Sequence, residues 1–238
     1  MRGIGEEFYE KTRYSRKGIF KGTRPKRPAE PFKTYPGAKR FKLEVGELPS
    51  SSLWQALKNR RSRRDFKAEP ISQRELALLI WACQGVTEKI SGYLLRTAPS
   101  AGALYPVETY LVINRVDGIE SGIYHWNILE QALEQIRAGD FSRQIEQAAL
   151  GQDMCRYASV VFVWSAIFAR SAYKYSDRGY RYIFMDAGHI CQNLYLACED
   201  LGLGCCAIGA FFDDEVDELM GFDSDQEASI YLCAVGKY

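Results

Sequence analysis

Four arginines and a serine crowd into one short turn, Asn59-Arg60-Arg61-Ser62-Arg63-Arg64-Asp65-Phe66. Guanidinium groups offer planar, forked donors that match the oxygens of a phosphate monoester, so Arg60, Arg61, Ser62 and Arg64 are candidates for gripping one. A solvated basic face would use the same residues. A second group, Ala98-Pro99-Ser100-Ala101-Gly102-Ala103-Leu104-Tyr105-Pro106-Val107-Glu108, sets small side chains and a hydroxyl just before a strand-like run. There a backbone can approach a flat ring closely, although a tight turn without a ligand is built similarly. A third, Gly204-Cys-Cys-Ala207-Ile208-Gly209-Ala-Phe211, joins glycines to an aromatic, a combination that also serves close helix–strand packing. The fourth is Lys174-Tyr175, inside a polar, aromatic segment from Ala172 to Tyr182. A lysine whose pKa falls on burial, or a tyrosine beside a cation, can move a proton near neutral pH; an isolated Lys or Tyr is more commonly a surface group.

The elements that would position these groups show in the hydrophobic pattern. Ser52-Leu-Trp-Gln55 has the spacing of a capping box and opens a short helix through Leu53, Trp54 and Leu57. Ser72-Gln-Arg-Glu75 opens another, with Leu76, Leu79, Ile80 and Cys83 at helical spacing up to Gly85. Thr109 to Ile113, Val160 to Ile167 and Ser229 to Val235 are rich in β-branched and aromatic residues and are expected as strands. Between the last two runs a long helix whose wide stripe includes Ile183, Phe184, Ala187, Ile190, Leu194, Cys198 and Leu201, with Gly202 as its stop. A last helix starts at the acidic Asp213-Asp-Glu-Val and ends at Gly221. Strands and helices come in blocks without regular alternation, which predicts an α+β protein with a sheet covered by helices.

Several chemistries are disfavoured. Gly202-Leu-Gly204-Cys-Cys-Ala207 fits the dinucleotide fingerprint, yet it follows a helix where the fingerprint needs a strand before it. The two histidines, His125 and His189, stand 64 positions apart, so no metal site is expected. The seven cysteines are odd in number, lack a C-x-x-C and lie largely in apolar runs, as free thiols do. No signal-like or membrane-spanning run of roughly 18 apolar residues is present, which predicts a cytoplasmic protein.

The net charge of +1 hides an asymmetry. Residues 1–42 hold 13 Lys+Arg and 4 Asp+Glu, or +9, whereas residues 43–238 hold 18 and 26, or −8. Residues 1–48 are therefore expected as a basic arm punctuated by Pro25, Pro28, Pro31 and Pro36, and residues 49–238 as the main domain. The arm is expected to lie on its own body or on a partner subunit, since opposite charges of this size attract without any external polyanion. The rival is a nucleic-acid contact, whose binding would fall steeply with salt.

Taken in order, the motifs resemble the nitroreductase-like flavoproteins, and within them the SagB/ThcOx-type dehydrogenases. The matching runs are R-R-S-x-R, P-S-A-G-A-L-Y-P-V-E, K-Y-x-x-R-G-Y-R, D-A-G-H-x-x-Q-N-L, G-L-G-x-x-A-I-G-A-F and a terminal A-V-G, from about Leu53 onward. The resemblance implies a nitroreductase-like fold with a mostly antiparallel central sheet, in an intertwined homodimer with FMN at the interface. It places the FMN phosphate on Arg60, Ser62 and Arg64, the flavin ring against the partner's Pro99, Ser100, Ala101 and Gly102, and Ala207, Ile208 and Gly209 on its other face. Asn193 would add a polar contact, and Lys237 stands where many relatives carry a basic residue toward the phosphate. Lys174 and Tyr175 match the catalytic pair of azoline-oxidising members, while His189 is expected to be structural. The implied activity is hydride transfer from a small-molecule or peptide-derived substrate to flavin. Its alternatives are nitro or quinone reduction with NAD(P)H as donor, and a non-catalytic flavin-binding protein.

Overall fold

The computed structural model describes residues 3–18, 32–33, 40, 46–90, 92–223 and 226–238. The four prolines of the arm lie outside them. In chain order the elements are α1 (Ile4–Thr12), α2 (Ser52–Asn59), α3 (Gln73–Gln84), β1 (Val86–Ile90), β2 (Tyr93–Arg96), β3 (Val107–Ile113), β4 (Gly122–Asn127) and β5 (Ala132–Ala138). There follow α4 (Ser142–Ala148), α5 (Met154–Tyr157), β6 (Val160–Ala166), α6 (Phe168–Tyr175), α7 (Arg178–Asp200), β7 (Gly204–Ile208), α8 (Asp213–Met220) and β8 (Ala228–Gly236). Six strands form one antiparallel sheet in the order β5-β4-β3-β6-β8-β7, and β1 and β2 pair as a separate hairpin.

The sheet is buried on both faces because strand side chains alternate sides. On β6, Val160, Phe162 and Trp164 join Leu76, Leu79 and Ile80 of α3 and Ile183, Ile190 and Leu194 of α7 in one core. Val161 and Val163 point the other way, into a second core with Ile145 of α4, Met154 of α5 and Val216, Leu219 and Met220 of α8. Full burial of each large side chain contributes about 1.5–3 kcal/mol, so β6, buried along its whole length, anchors both layers.

The second capping box forms as expected: the Ser72 hydroxyl accepts the Glu75 amide at 3.2 Å, and Glu75 accepts the Ser72 amide at 2.6 Å. The first does not. The N-cap of α2 is Ser51, with no side-chain cap, because in the run Ser50-Ser51-Ser52 the start slides back one residue and puts Trp54, which cannot reciprocate, in the N3 position. Phe184 also departs from expectation: it is exposed on α7, next to Met185, and His189 is exposed on the same helix. All seven cysteines are buried free thiols.

Residues 3–18 pack on the body of the same chain. The Gly5 amide bonds Asp177, the Tyr9 hydroxyl donates to the Ser229 carbonyl at 2.9 Å, Arg13 pairs with Asp214 and Asp217 at 2.7 and 2.8 Å, and Arg16 pairs with Glu215. The basic start of the chain thus meets the acidic first turn of α8.

Candidate active site

Helix α2 ends at Arg60, and the basic turn then runs along the edge of the sheet. The Arg63 amide bonds the Cys205 carbonyl at 3.0 Å and the Lys67 amide bonds the Lys237 carbonyl at 2.8 Å. Ser62 is held by Tyr195 of α7, whose hydroxyl lies 2.9 Å from Ser62 Oγ and accepts the Ala207 amide at 2.8 Å. The Arg60 guanidinium lies over the same ring, 5.2 Å from its centroid. Burial pushes the Tyr195 hydroxyl up to about 12, against the hydrogen bonds from Ser62 and Ala207, so it stays protonated. Among the described residues, Arg60, Arg61 and Arg64 have no carboxylate within 4 Å, whereas Arg63 pairs with Glu199 at 3.7 Å and leaves only its buried Nε without a partner. Unneutralised guanidinium groups around a hydroxyl suit a phosphate monoester.

The second cluster forms at the other end of α7. Ser100 Oγ donates to Asp186 at 2.6 Å and accepts the Tyr105 amide at 3.0 Å, while the Ala101 amide reaches the same carboxylate at 3.3 Å. Burial raises the Asp186 carboxyl above its ordinary range, opposed by those two donors. The loop is held in a rare conformation: φ is +65° at Gly102, +54° at Ala103 and +45° at Tyr105. Non-glycine residues in this region cost of order 1–3 kcal/mol and persist where the surroundings enforce them, often at functional sites. Lys174 and Tyr175, expected between elements, close the last turn of α6 before a break at Ser176. They converge on the loop: a methyl group on Gly102 would sit 2.6 Å from Tyr175 Oη and 3.0 Å from Lys174 Nζ. Lys174 Nζ is 5.3 Å from the Tyr175 ring centroid, and Tyr182 packs edge-on against Tyr175.

The nitroreductase family model matches residues 57–237, a span that takes in both clusters. The chain belongs to the nitroreductase family. It is similar to protein MJ1384 of Methanocaldococcus jannaschii, with 34% identity over 83% of this chain and 96% of that one. The microcin B17-processing protein McbC of Escherichia coli is 31% identical over 59% of this chain and 54% of its own length, so the match spans about half of that relative. The E. coli microcin synthetase McbBCD complex has a chain of the same fold, with a TM-score of 0.72 over 99% of this chain and 92% of that one at 22% identity. A nitroreductase-type structure from Anabaena variabilis is 36% identical with a TM-score of 0.68, over 78% of this chain and 38% of that one. The similarity to McbC accords with the SagB/ThcOx-type character of the motifs.

Within this nitroreductase-family chain the expected site residues fall into two groups. Arg60, Ser62 and Ala207 meet at Tyr195, with Arg61 and Arg64 flanking Ser62 and with Ile208 and Gly209 continuing from Ala207. Pro99, Ser100, Ala101 and Gly102 meet Asp186, Lys174 and Tyr175. Two residues stand apart. Asn193 spends its amide group on the Ala82 carbonyl at 3.0 Å, tying α7 to α3. Lys237 adds its charge to the environment of Glu75 at the start of α3. Sequence reasoning did not single out Tyr195 and Asp186, although each is a polar group within the apolar stripe of a long helix, and that was the available signal.

Proposed function

We propose that this nitroreductase-family oxidoreductase is an FMN-dependent dehydrogenase of the SagB/ThcOx type, working as a homodimer on a small-molecule or peptide-derived substrate. What carries the proposal is the meeting of Lys174 Nζ and Tyr175 Oη at Gly102, beside the loop proposed to line the flavin ring. Desaturating a C–N or C–C bond removes a hydride and a proton from one substrate. Bound FMN would supply the hydride acceptor; the chain's own residues must handle the proton. Lys174 and Tyr175 stand where they can take it, and Asp186 fixes the loop on which they converge through Ser100 and Ala101.

The residues present fit FMN. The uncompensated Arg60 and Arg64 and the pinned Ser62 would hold its phosphate, and Ala207, Ile208 and Gly209 would border the ring opposite the loop. Helix geometry argues for two chains. Asp186 and Tyr195 are nine positions apart, about two and a half turns and about 13 Å, and so face opposite sides of α7. The two clusters point away from each other within one chain, and a second copy would supply the missing half of each site. The surface supports this: Leu53, Trp54 and Leu57 of α2, Leu78 and Trp81 of α3 and Phe184 and Met185 of α7 are exposed on helices that touch one another. Exposed apolar side chains gathered on helices that adjoin α7 suit an interface. It would also cover Lys174, which is exposed in the single chain.

An absorption spectrum of the purified protein, followed by heat release and identification of the chromophore, tests the cofactor. FMN near one per chain is the expected result. A colourless protein that also refuses added FMN would overturn the proposal.

A further inference from the structure

A cleft of about 410 Å³ opens beside the Ser100 to Tyr105 loop, between that loop, β2, the end of β4 and α6. Its floor carries charged groups that the proposed proton transfer does not use. Glu108 is bound by Arg170 and by His125 Nε2 at 3.3 Å. Burial works against its ionisation, but the His125 hydrogen bond and the Arg170 charge hold its carboxyl below the ordinary range. The one acid of the floor is therefore already matched.

Arg96 is not. Its guanidinium lies flat on Tyr105, 4.3 Å from the ring centroid, and donates one bond, from Nη1 to Gln84 at 3.0 Å. Its Nε is buried without a partner, and among the described residues no carboxylate lies within 4 Å of it. Arg96 and Arg170 against Glu108 leave a positive surplus on the cleft wall, to which His125 adds when protonated. Glu108 attracts Arg96 through space without pairing with it, and the desolvation of a partly buried cation that has no ion-pair contact is a cost that a bound anion would offset. The remaining walls mix apolar side chains, Leu94, Leu104, Ile128 and Leu129, with the polar Tyr93 and Asn127.

We propose that this cleft binds a small carboxylate with an apolar body, its anionic end on Arg96. Arg170 stands one helical turn, about 6 Å, before Lys174 on α6, so the cleft and the proposed proton-transfer pair share one helix. As an anchoring subsite for the substrate it rests on the dehydrogenase function proposed above; as an anion site it rests on the cleft alone.

Calorimetric titration separates the two. The probes are 4-phenylbutanoate and its uncharged amide, added to the protein as purified, with flavin content measured on the same sample. The acid should bind at least about tenfold more tightly than the amide, the ratio of one charge-assisted contact, and Arg96→Gln should abolish that preference. Leu129→Glu changes a residue that is 79% exposed at the rim and leaves the arginine intact. It should weaken the acid and spare the amide, and it decides the question if Arg96→Gln does not fold. Equal binding of acid and amide, or a preference for the acid that neither variant reduces, would overturn the site. If the preference holds in protein that lacks and refuses FMN, the anion site stands while the dehydrogenase function fails.

Discussion

The hydroxyl of Tyr195 lies 2.9 Å from Ser62 Oγ, a contact across 133 positions of sequence. Because the same oxygen accepts the Ala207 amide, one phenol joins the basic turn to the edge strand β7. Tyr195→Phe keeps the ring under Arg60 but leaves that amide without its acceptor. The expected cost is about 1–2 kcal/mol in denaturant unfolding, together with weaker flavin retention. An unchanged midpoint would show that Tyr195 does not tie the two segments energetically.

Among the described residues, no neighbouring carboxylate neutralises the charge of Arg60 and Arg64. The double variant Arg60→Ala with Arg64→Ala should therefore fold normally and lose its flavin. Circular dichroism and the visible spectrum read the two properties separately. Full FMN content in the purified variant would remove the phosphate role from both residues.

At Gly102, φ is +65° and an added methyl group would overlap the Tyr175 hydroxyl. Gly102→Ala is expected to cost about 1–2 kcal/mol in backbone strain. It should also displace Tyr175 and Lys174, lowering turnover by about tenfold or more, since small misplacements at a reacting centre are expensive. Lys174→Ala removes the proposed proton acceptor and should abolish turnover while the protein keeps its flavin. Undiminished turnover of a genuine substrate by Lys174→Ala would end the assignment of the pair.

His125 sits between Glu108 and Glu134, the latter at 2.8 Å, and its pKa is raised above the usual 6.5, first by the Glu108 hydrogen bond. A folded-state pKa above the unfolded value means that the stabilisation is complete below 6.5 and is lost as pH rises through the folded value. The stability difference between the protein and His125→Gln should therefore be larger at about pH 5 than at about pH 9. A difference that does not vary with pH would show that His125 is not held as a cation.

The sequence by itself determined the elements whose pattern is dense. The cap at Ser72, the strands at β3, β6 and β8, the existence of α7 and the acidic start of α8 all follow from periodicity and local hydrogen bonding, which depend on neighbours within a few positions; the first turn of α7, from Arg178, lies in the stretch expected between elements. Residue type alone also marks a cluster of guanidinium groups at Arg60 to Arg64. The strands β1 and β5 were not legible: they are polar and largely exposed, held by pairing with β2 and β4, and a strand that buries little leaves no hydrophobic signature. Only the tertiary structure could decide that Lys174 and Tyr175 meet Gly102, more than 70 positions away, or that Asn193 is committed to Ala82. The same holds for the two clusters on opposite faces of α7 and for Arg96, which has no ion-pair contact among the described residues. Each of these depends on which side chains long-range packing brings within a few ångströms, and a linear pattern carries no information about distances between segments that the chain itself does not join.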